Sequence, residues 1–298
     1  MKTASRLLLA SLASFGLVGT AIAQDDAPVE ATADGSADEA SDPNAAPAVS
    51  PDPNALAPAG RWPRAVILRP LTLPSGVFMA GADIVNYTSS FFDPAFIRVV
   101  VGYGITDDLE LGFAHYAFPT SDVGKGAIAA GLGYKLVRGG AGGKLEAIGR
   151  ATIGYDLAAS IDLTTGETSG AVTPLGLGVH VRYMINDKIA LITPGDQLQI
   201  GLDPNFIDLS LPVAVGFQAT PELYAQLATN IATINIKDSG TAVIFADTTP
   251  IELTATYNVM PALDVTAGLA FNLTPPGDAG IGDTLAILIG ARYYAGAL

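Results

Sequence analysis

The chain contains no cysteine. That excludes a disulfide scaffold, a thiolate metal centre, a cysteine nucleophile and a lipidated N-terminal cysteine. Positive charge is scarce: 15 Lys and Arg stand against 29 Asp and Glu, a formal net charge of −14 over 298 residues. Such a chain is no electrostatic binder of nucleic acid, so no nucleic-acid partner is expected. Histidine occurs only at His115 and His180, so no metal cluster and no cofactor site is read. Long apolar runs are missing as well. After the first 23 residues no stretch of 18 or more apolar residues occurs, which excludes a transmembrane helix. Yet mean hydropathy is +0.39, high for a water-soluble domain. With 33 Gly and 20 Pro, a helical bundle is disfavoured.

The chain reads as three successive regions. Residues 1–23 have the form of a secretory signal peptide. Lys2 and Arg6 precede an apolar stretch from Leu7 to Gly19, and Ala21-Ile22-Ala23 supplies a small-x-small site, so cleavage is expected after Ala23. Residues 24–60 hold eight acidic residues, no Lys or Arg and no aromatic, in a background of Ala, Pro and Ser. That composition buries too little apolar surface to offset chain ordering, so a disordered acidic Pro/Ala-rich periplasmic leader is expected. The leader carries −8 and the signal +2, leaving −8 on residues 61–298, which are assigned to one barrel domain.

Periodicity identifies that domain. Residues 97–104 place Ile97, Val99, Val101 and Tyr103 on one face and Arg98, Val100, Gly102 and Gly104 on the other. Residues 109–114, 207–217 and 263–271 alternate in the same way. Period two over 8–11 residues is a strand, long enough to cross a membrane when tilted. Twelve strands are predicted, with ten or fourteen as alternatives: 75–87, 95–105, 108–118, 126–137, 144–158, 172–185, 188–201, 206–218, 222–235, 243–257, 262–273 and 284–295. Connections after even strands are short and those after most odd strands are longer, as in outer-membrane barrels. The expected class is all-β, a transmembrane antiparallel up-and-down β-barrel.

Each even strand ends in an aromatic on its apolar face: Tyr103, Tyr134, Tyr183, Phe217, Tyr257 and Tyr293. Six equivalent positions in a chain that is 7% aromatic form a girdle at headgroup level, making outer-membrane lipids an expected partner. The turn at residues 102–112 (Gly-Tyr-Gly-Ile-Thr-Asp-Asp-Leu-Glu-Leu-Gly) and the closing Gly290-Ala-Arg-Tyr-Tyr-Ala, together with the signal and linker, resemble a Gram-negative outer-membrane β-barrel of the channel or transporter kind. The resemblance covers roughly residues 70–298. It implies residence in the outer membrane of a Gram-negative bacterium and recognition by the barrel-insertion machinery. The chain ends Gly296-Ala297-Leu298, not in the aromatic such proteins often carry.

Parity assigns the other face to the interior. Inward charges would be Asp83, Arg98, Glu110, Lys135, Glu146, Arg150, Asp156, Arg182, Lys188, Asp208, Glu252, Asp264 and Arg292, beside His180. Charges buried dry and unpaired are costly, so a wet lumen is expected. Inward glycines such as Gly102, Gly104, Gly133, Gly176, Gly178, Gly216 and Gly290 are expected to leave it free cross-section. Cross-strand pairs Glu110–Lys135, Glu146–Arg182 and Asp264–Arg292 would stabilise the wall. The lumen-facing candidates for solute contact are Arg98, Arg150, Arg182, His180, Asp208 and Glu252, with the arginines suited to anions. Thr193-Pro194-Gly195 interrupts strand seven, and a bulge restores its parity.

The expected function is passive diffusion of a small-molecule solute. The alternatives are a non-conducting barrel acting as a structural or interaction anchor, and an outer-membrane lipid hydrolase. No enzyme is read, because no serine matches the depth of His115 and no catalytic residues group together. The Gly-rich stretch 138–145 fails as a phosphate loop, with Arg138 where glycine is needed and Leu145 where Ser or Thr is needed.

Overall fold

The computed structural model describes residues 62–87, 96–117, 127–156, 160–161, 168–169, 174–202, 205–235, 242–244, 250–273 and 280–296. The expected signal peptide and leader lie outside them. Alternation between two faces makes each wall segment a strand, and among the described residues there are twelve: β1 (Phe78–Tyr87), β2 (Phe96–Thr106), β3 (Leu109–Ala117), β4 (Ala127–Gly139), β5 (Leu145–Asp156), β6 (Pro174–Met184), β7 (Ile189–Thr193 continued by Leu198–Leu202), β8 (Asn205–Gln218), β9 (Leu223–Asn235), β10 (Pro250–Met260), β11 (Leu263–Asn272) and β12 (Ala286–Ala295). Every neighbouring pair is antiparallel, and β12 returns to pair with β1 from Ala295–Phe78 to Ala286–Tyr87. The sheet therefore closes and has no free edge, the condition for a sheet to sit in hydrocarbon.

The outer face is apolar throughout the wall. Ile84, Val99, Leu132, Ile153, Leu191, Leu211, Leu227, Leu253, Leu269 and Ile289 are all exposed. An apolar band of that extent on a water-soluble protein would drive aggregation, whereas in a bilayer it is the solvated face. Tyr103, Tyr134, Tyr183, Phe217, Tyr257 and Tyr293 are 40–53% exposed at the end of the barrel that carries the short turns. Both the segment entering β1 and the end of β12 lie at that end, which is the periplasmic side by the short-turn rule.

Three hairpins share a local device beside this girdle. Ile105, Leu136 and Val259 are extra residues, each two positions after a girdle tyrosine, where the pairing register shifts before the turn. Such bulges increase strand twist at a barrel rim. The β4–β5 turn follows, with Gly139, Gly142 and Gly143 at positive φ and Ala141 at φ 53°. It is a reversal in which three glycines take left-handed backbone at little cost and Ala141 is carried between them.

Two strands are irregular, β7 with the bulge expected at residues 193–195 and β10 at its start. In β7, residues 194–197 face only residues 178–180 of β6, one residue too many for a regular ladder. The side chains repair it. Thr193 Oγ1 accepts from the Val181 N–H at 2.9 Å and donates to the Val179 carbonyl at 2.9 Å, while Gln197 Nε2 donates to that carbonyl at 3.2 Å. Pro194, Gly195 and Asp196 are buried, and Asp196 Oδ2 accepts from Thr152 Oγ1 at 2.6 Å. Strand ten starts at Pro250, later than the predicted 243. Ala242–Ile244 also pairs with β9, at Thr233–Asn235, in a register offset from the one that joins Thr229 to Ile251; residues 245–249 lie outside the described residues.

Candidate functional site in the periplasmic half of the lumen

The wall does not account for residues 62–77. Proline at 63, 70 and 74 denies this stretch regular ladder hydrogen bonding, and its apolar side chains need cover from water. They find it inside the barrel. Trp62, Val66, Ile67, Leu71 and Leu73 are buried, and Val66–Leu68 forms one 3-10 turn. This inner segment was assigned to the barrel domain by position, yet it is not part of the wall.

Its polar contacts trace its path. Arg64 Nε donates to Asn258 Oδ1 of β10 at 2.9 Å, and Arg64 lies 3.5 Å from Glu222 in the β8–β9 turn. The Ile67 N–H donates to Gln218 Oε1 of β8 at 2.9 Å. The Leu71 N–H donates to Glu146 Oε1 of β5 at 3.0 Å, and the Leu73 N–H to Glu110 Oε2 of β3 at 2.9 Å. Thr72 Oγ1 donates to the Asp107 carbonyl at 2.9 Å, and the Ser75 N–H to Asp107 Oδ1 at 3.0 Å. The segment thus touches β10 and β11 at one end and β5 and β3 further on. In a ring of twelve, β5 and β11 are opposite walls, so the chain crosses the periplasmic mouth before turning into β1.

Arg69 is its most embedded side chain, with no exposed surface. Its guanidinium meets Asp264 of β11 through two hydrogen bonds, 2.7 and 3.1 Å, and Nε donates to the Pro63 carbonyl at 2.9 Å. Asn258 Nδ2 donates to the same carboxylate at 2.8 Å. The guanidinium also lies 5.3 Å from the Trp62 ring centroid and 5.6 Å from that of Tyr294, and the two rings are 4.9 Å apart. A planar, weakly hydrated cation suits such a mixed ionic and aromatic site. Burial pulls the Arg69 guanidinium down to about 9 while Asp264 opposes the fall, so it stays charged at neutral pH.

The predicted lumen residues separate into groups. Arg98 of β2 and Arg292 of β12 both engage Asp83 of β1. Arg98 Nε donates to Oδ2 at 2.6 Å, and Arg292 reaches both oxygens at 2.6 and 2.8 Å. Arg182 of β6 bonds Glu146 Oε2 at 2.5 Å, so that carboxylate serves the wall and the inner segment together. Arg150 and His180 are buried beside it, Arg150 opposite Gly133 and Gly178 and His180 opposite Ile148. His180 Nδ1 has no hydrogen-bond partner among the described residues. Asp208 and Glu252 stand apart from this group, opposite Gln199 and Ala228 respectively, and both are only partly buried.

Several expectations need correction. Lys135 pairs with Asp108 at 2.9 Å and with the Asp107 carbonyl, not with Glu110, whose carboxylate holds the Leu73 N–H. Asp264 faces Arg292 in register but is taken by Arg69, leaving Arg292 to Asp83. Lys188 is exposed in the β6–β7 turn and not in the lumen, because β7 starts only at Ile189. The side chain of Asp156 lies outside the described residues.

The inward glycines named above are not all open space. A Cβ on Gly104 would lie 1.9 Å from the Pro74 carbonyl oxygen, and one on Gly102 would lie 2.9 Å from Leu73 Cδ1. Likewise Gly133 seats Glu110, Gly290 seats Asp83, Gly216 seats Tyr224, and Gly176 and Gly178 seat Asp196 and Gln197. These positions are bare so that a neighbour's long side chain or the inner segment can lie over them.

His115 lies on the outer face, opposite Val99 and Ile128, neither of which is a nucleophile.

No protein-family model matches the chain, and no curated protein matches its sequence. Among solved structures it is similar to the KdgM porin, at 6% identity and a TM-score of 0.48, with 72% of this chain and 98% of that one covered. It is similar to the NanC porin at 7% identity and a TM-score of 0.49, with 72% and 98% covered. The COG4313 outer membrane channel from Pseudomonas putida F1 gives 14% identity and a TM-score of 0.46, with 75% and 97% covered.

Proposed function

We propose that the chain is a pore of the Gram-negative outer membrane for passive diffusion of small solutes, secreted with cleavage after Ala23. The observation that carries this reading is the division of side-chain chemistry across the wall. The outer face is apolar and ends in an aromatic girdle, while the inner face carries Asp83, Arg98, Glu146, Arg150, His180, Arg182 and Arg292. A sheet that only needed a dry filling would take apolar side chains there at less cost. The Arg150, His180 and Arg182 group on β5 and β6 is the proposed contact for an anionic solute, with Arg98 a second cationic point among the lining residues. Asp208 and Glu252 line other parts of the passage.

Planar-bilayer recording of the refolded mature chain tests the reading. Discrete conductance steps are expected. The Arg150→Ala and Arg182→Ala variants should lower the ratio of anion to cation permeability by about threefold or more, following the loss of a lumen cation.

One observation favours a second reading, the non-conducting anchor: the inner segment crosses the mouth and several lumen charges are already paired. A chain that inserts into bilayers yet stays silent with and without residues 62–74 has this second role.

A further inference from the structure

We propose that residues 62–77 are a removable plug, latched shut by the Arg69–Asp264 pair and carried on the joint at Gly76. The proposal rests on the pore reading above and adds its control.

The segment is attached to the wall covalently at one end only, where it becomes β1. At that junction Gly76 has φ +79°, and a Cβ there would meet nothing within 4 Å, so the joint is roomy. Backbone hydrogen bonds from the Gly76 N–H to the Gly104 carbonyl (2.8 Å) and from the Gly104 N–H to the Val77 carbonyl (2.9 Å) fix the joint to β2. Upstream of it, the backbone N–H groups of Ile67, Leu71 and Leu73 donate to side chains of the wall, not to a strand ladder. A segment held in this way leaves without breaking the barrel. The wall sheet closes through β12 and β1 whether or not the segment is in place.

Among these contacts the Arg69–Asp264 pair is the one fully buried ion pair between segment and wall in the described residues. It lies on β11, across the mouth from the Leu71 and Leu73 contacts, so it holds the far end of the crossing. Losing either member leaves a buried charge without its partner, which moves the closed-to-open equilibrium by a hundredfold or more, in order of magnitude. Losing both adds nothing further, because the interaction is one unit.

The natural absence of cysteine makes the motion measurable. In a Val66→Cys background the new thiol is buried at the mouth and is the chain's one reactive sulfur. Labelling by a charged thiol reagent, in refolded full-length chain, then reports how often the plug leaves. Adding Arg69→Ala, Asp264→Ala or both should each raise the labelling rate and the open fraction of single-channel current at least tenfold, with the double variant no faster than the faster single one. Heat-modified gel mobility shows that each barrel is folded, and Arg69→Ala, lying outside the wall, keeps the test usable where Asp264→Ala does not fold. Deletion of residues 62–74 separates the two ideas. A deletion variant that conducts steadily while Arg69→Ala labels at the parental rate overturns the latch and leaves the pore standing. A deletion variant that stays silent overturns the pore, and the channel control with it.

Discussion

At the scale of single residues, ionic arrangements in the lumen follow from which carboxylate a guanidinium can reach. Asp83 is almost completely buried and is shared by Arg98 and Arg292. Asp83→Ala strands both cations without their shared carboxylate, so a loss of about 3–5 kcal/mol is expected, by analogy with other broken buried pairs. The urea midpoint of the refolded barrel in detergent or lipid measures it. Gly104→Ala acts differently. The added methyl meets backbone at Pro74, which cannot rotate away as a side chain would. The wall should stay folded while the inner segment is displaced, and trypsin cleavage after Arg64 should rise at least several-fold over the parent. These particular pairings were not legible in the sequence. Cross-strand neighbours suggested Asp264 with Arg292, and the register does place them opposite. What decides the partner is a third group, Arg69, which comes from 195 residues away in the chain.

Strands behave otherwise, because their signal is local. A period of two needs only the residues of one segment, so the limits of β3, β5, β6, β8, β9 and β11 fall within a few residues of those read from alternation. The bulge in β7 was legible for the same reason: outward parity changes across residues 193–197. The change of register between Ile244 and Ile251 was not, since alternation carries on through Val243. The inner segment was invisible to periodicity. Its clue was composition: the chain's one tryptophan, three prolines and a run of Val66, Ile67 and Leu68 placed just after an acidic leader. Parity itself is testable on one strand. Leu227 sits mid-way along β9 on the outer face, opposite Val215 and Leu253. Leu227→Arg should cost about 2–4 kcal/mol in a lipid bilayer, as a midplane charge does, whereas Leu227→Phe should be nearly neutral. Folding titrations in vesicles distinguish the two.

For the whole molecule, the decisive property is that a closed sheet presents hydrocarbon-seeking residues outward and ionic ones inward. The refolded protein should therefore be monodisperse in detergent or lipid and aggregate when these are removed, as sedimentation or light scattering would report. The acidic leader has a separate role to be tested. The described residues place a different stretch, 62–77, across the mouth. Removing residues 24–60 should thus leave single-channel conductance unchanged within error, and a rise in conductance would mean that the leader also obstructs the passage.

Trp62 packs at a tilt against Tyr294 beside the Arg69 guanidinium, and the chain contains no other indole. The ultraviolet emission of the native protein is thereby a dye that evolution has already attached to one spot. Its wavelength and its susceptibility to iodide give a running optical readout of that spot in vesicles, in real time and without chemical labelling.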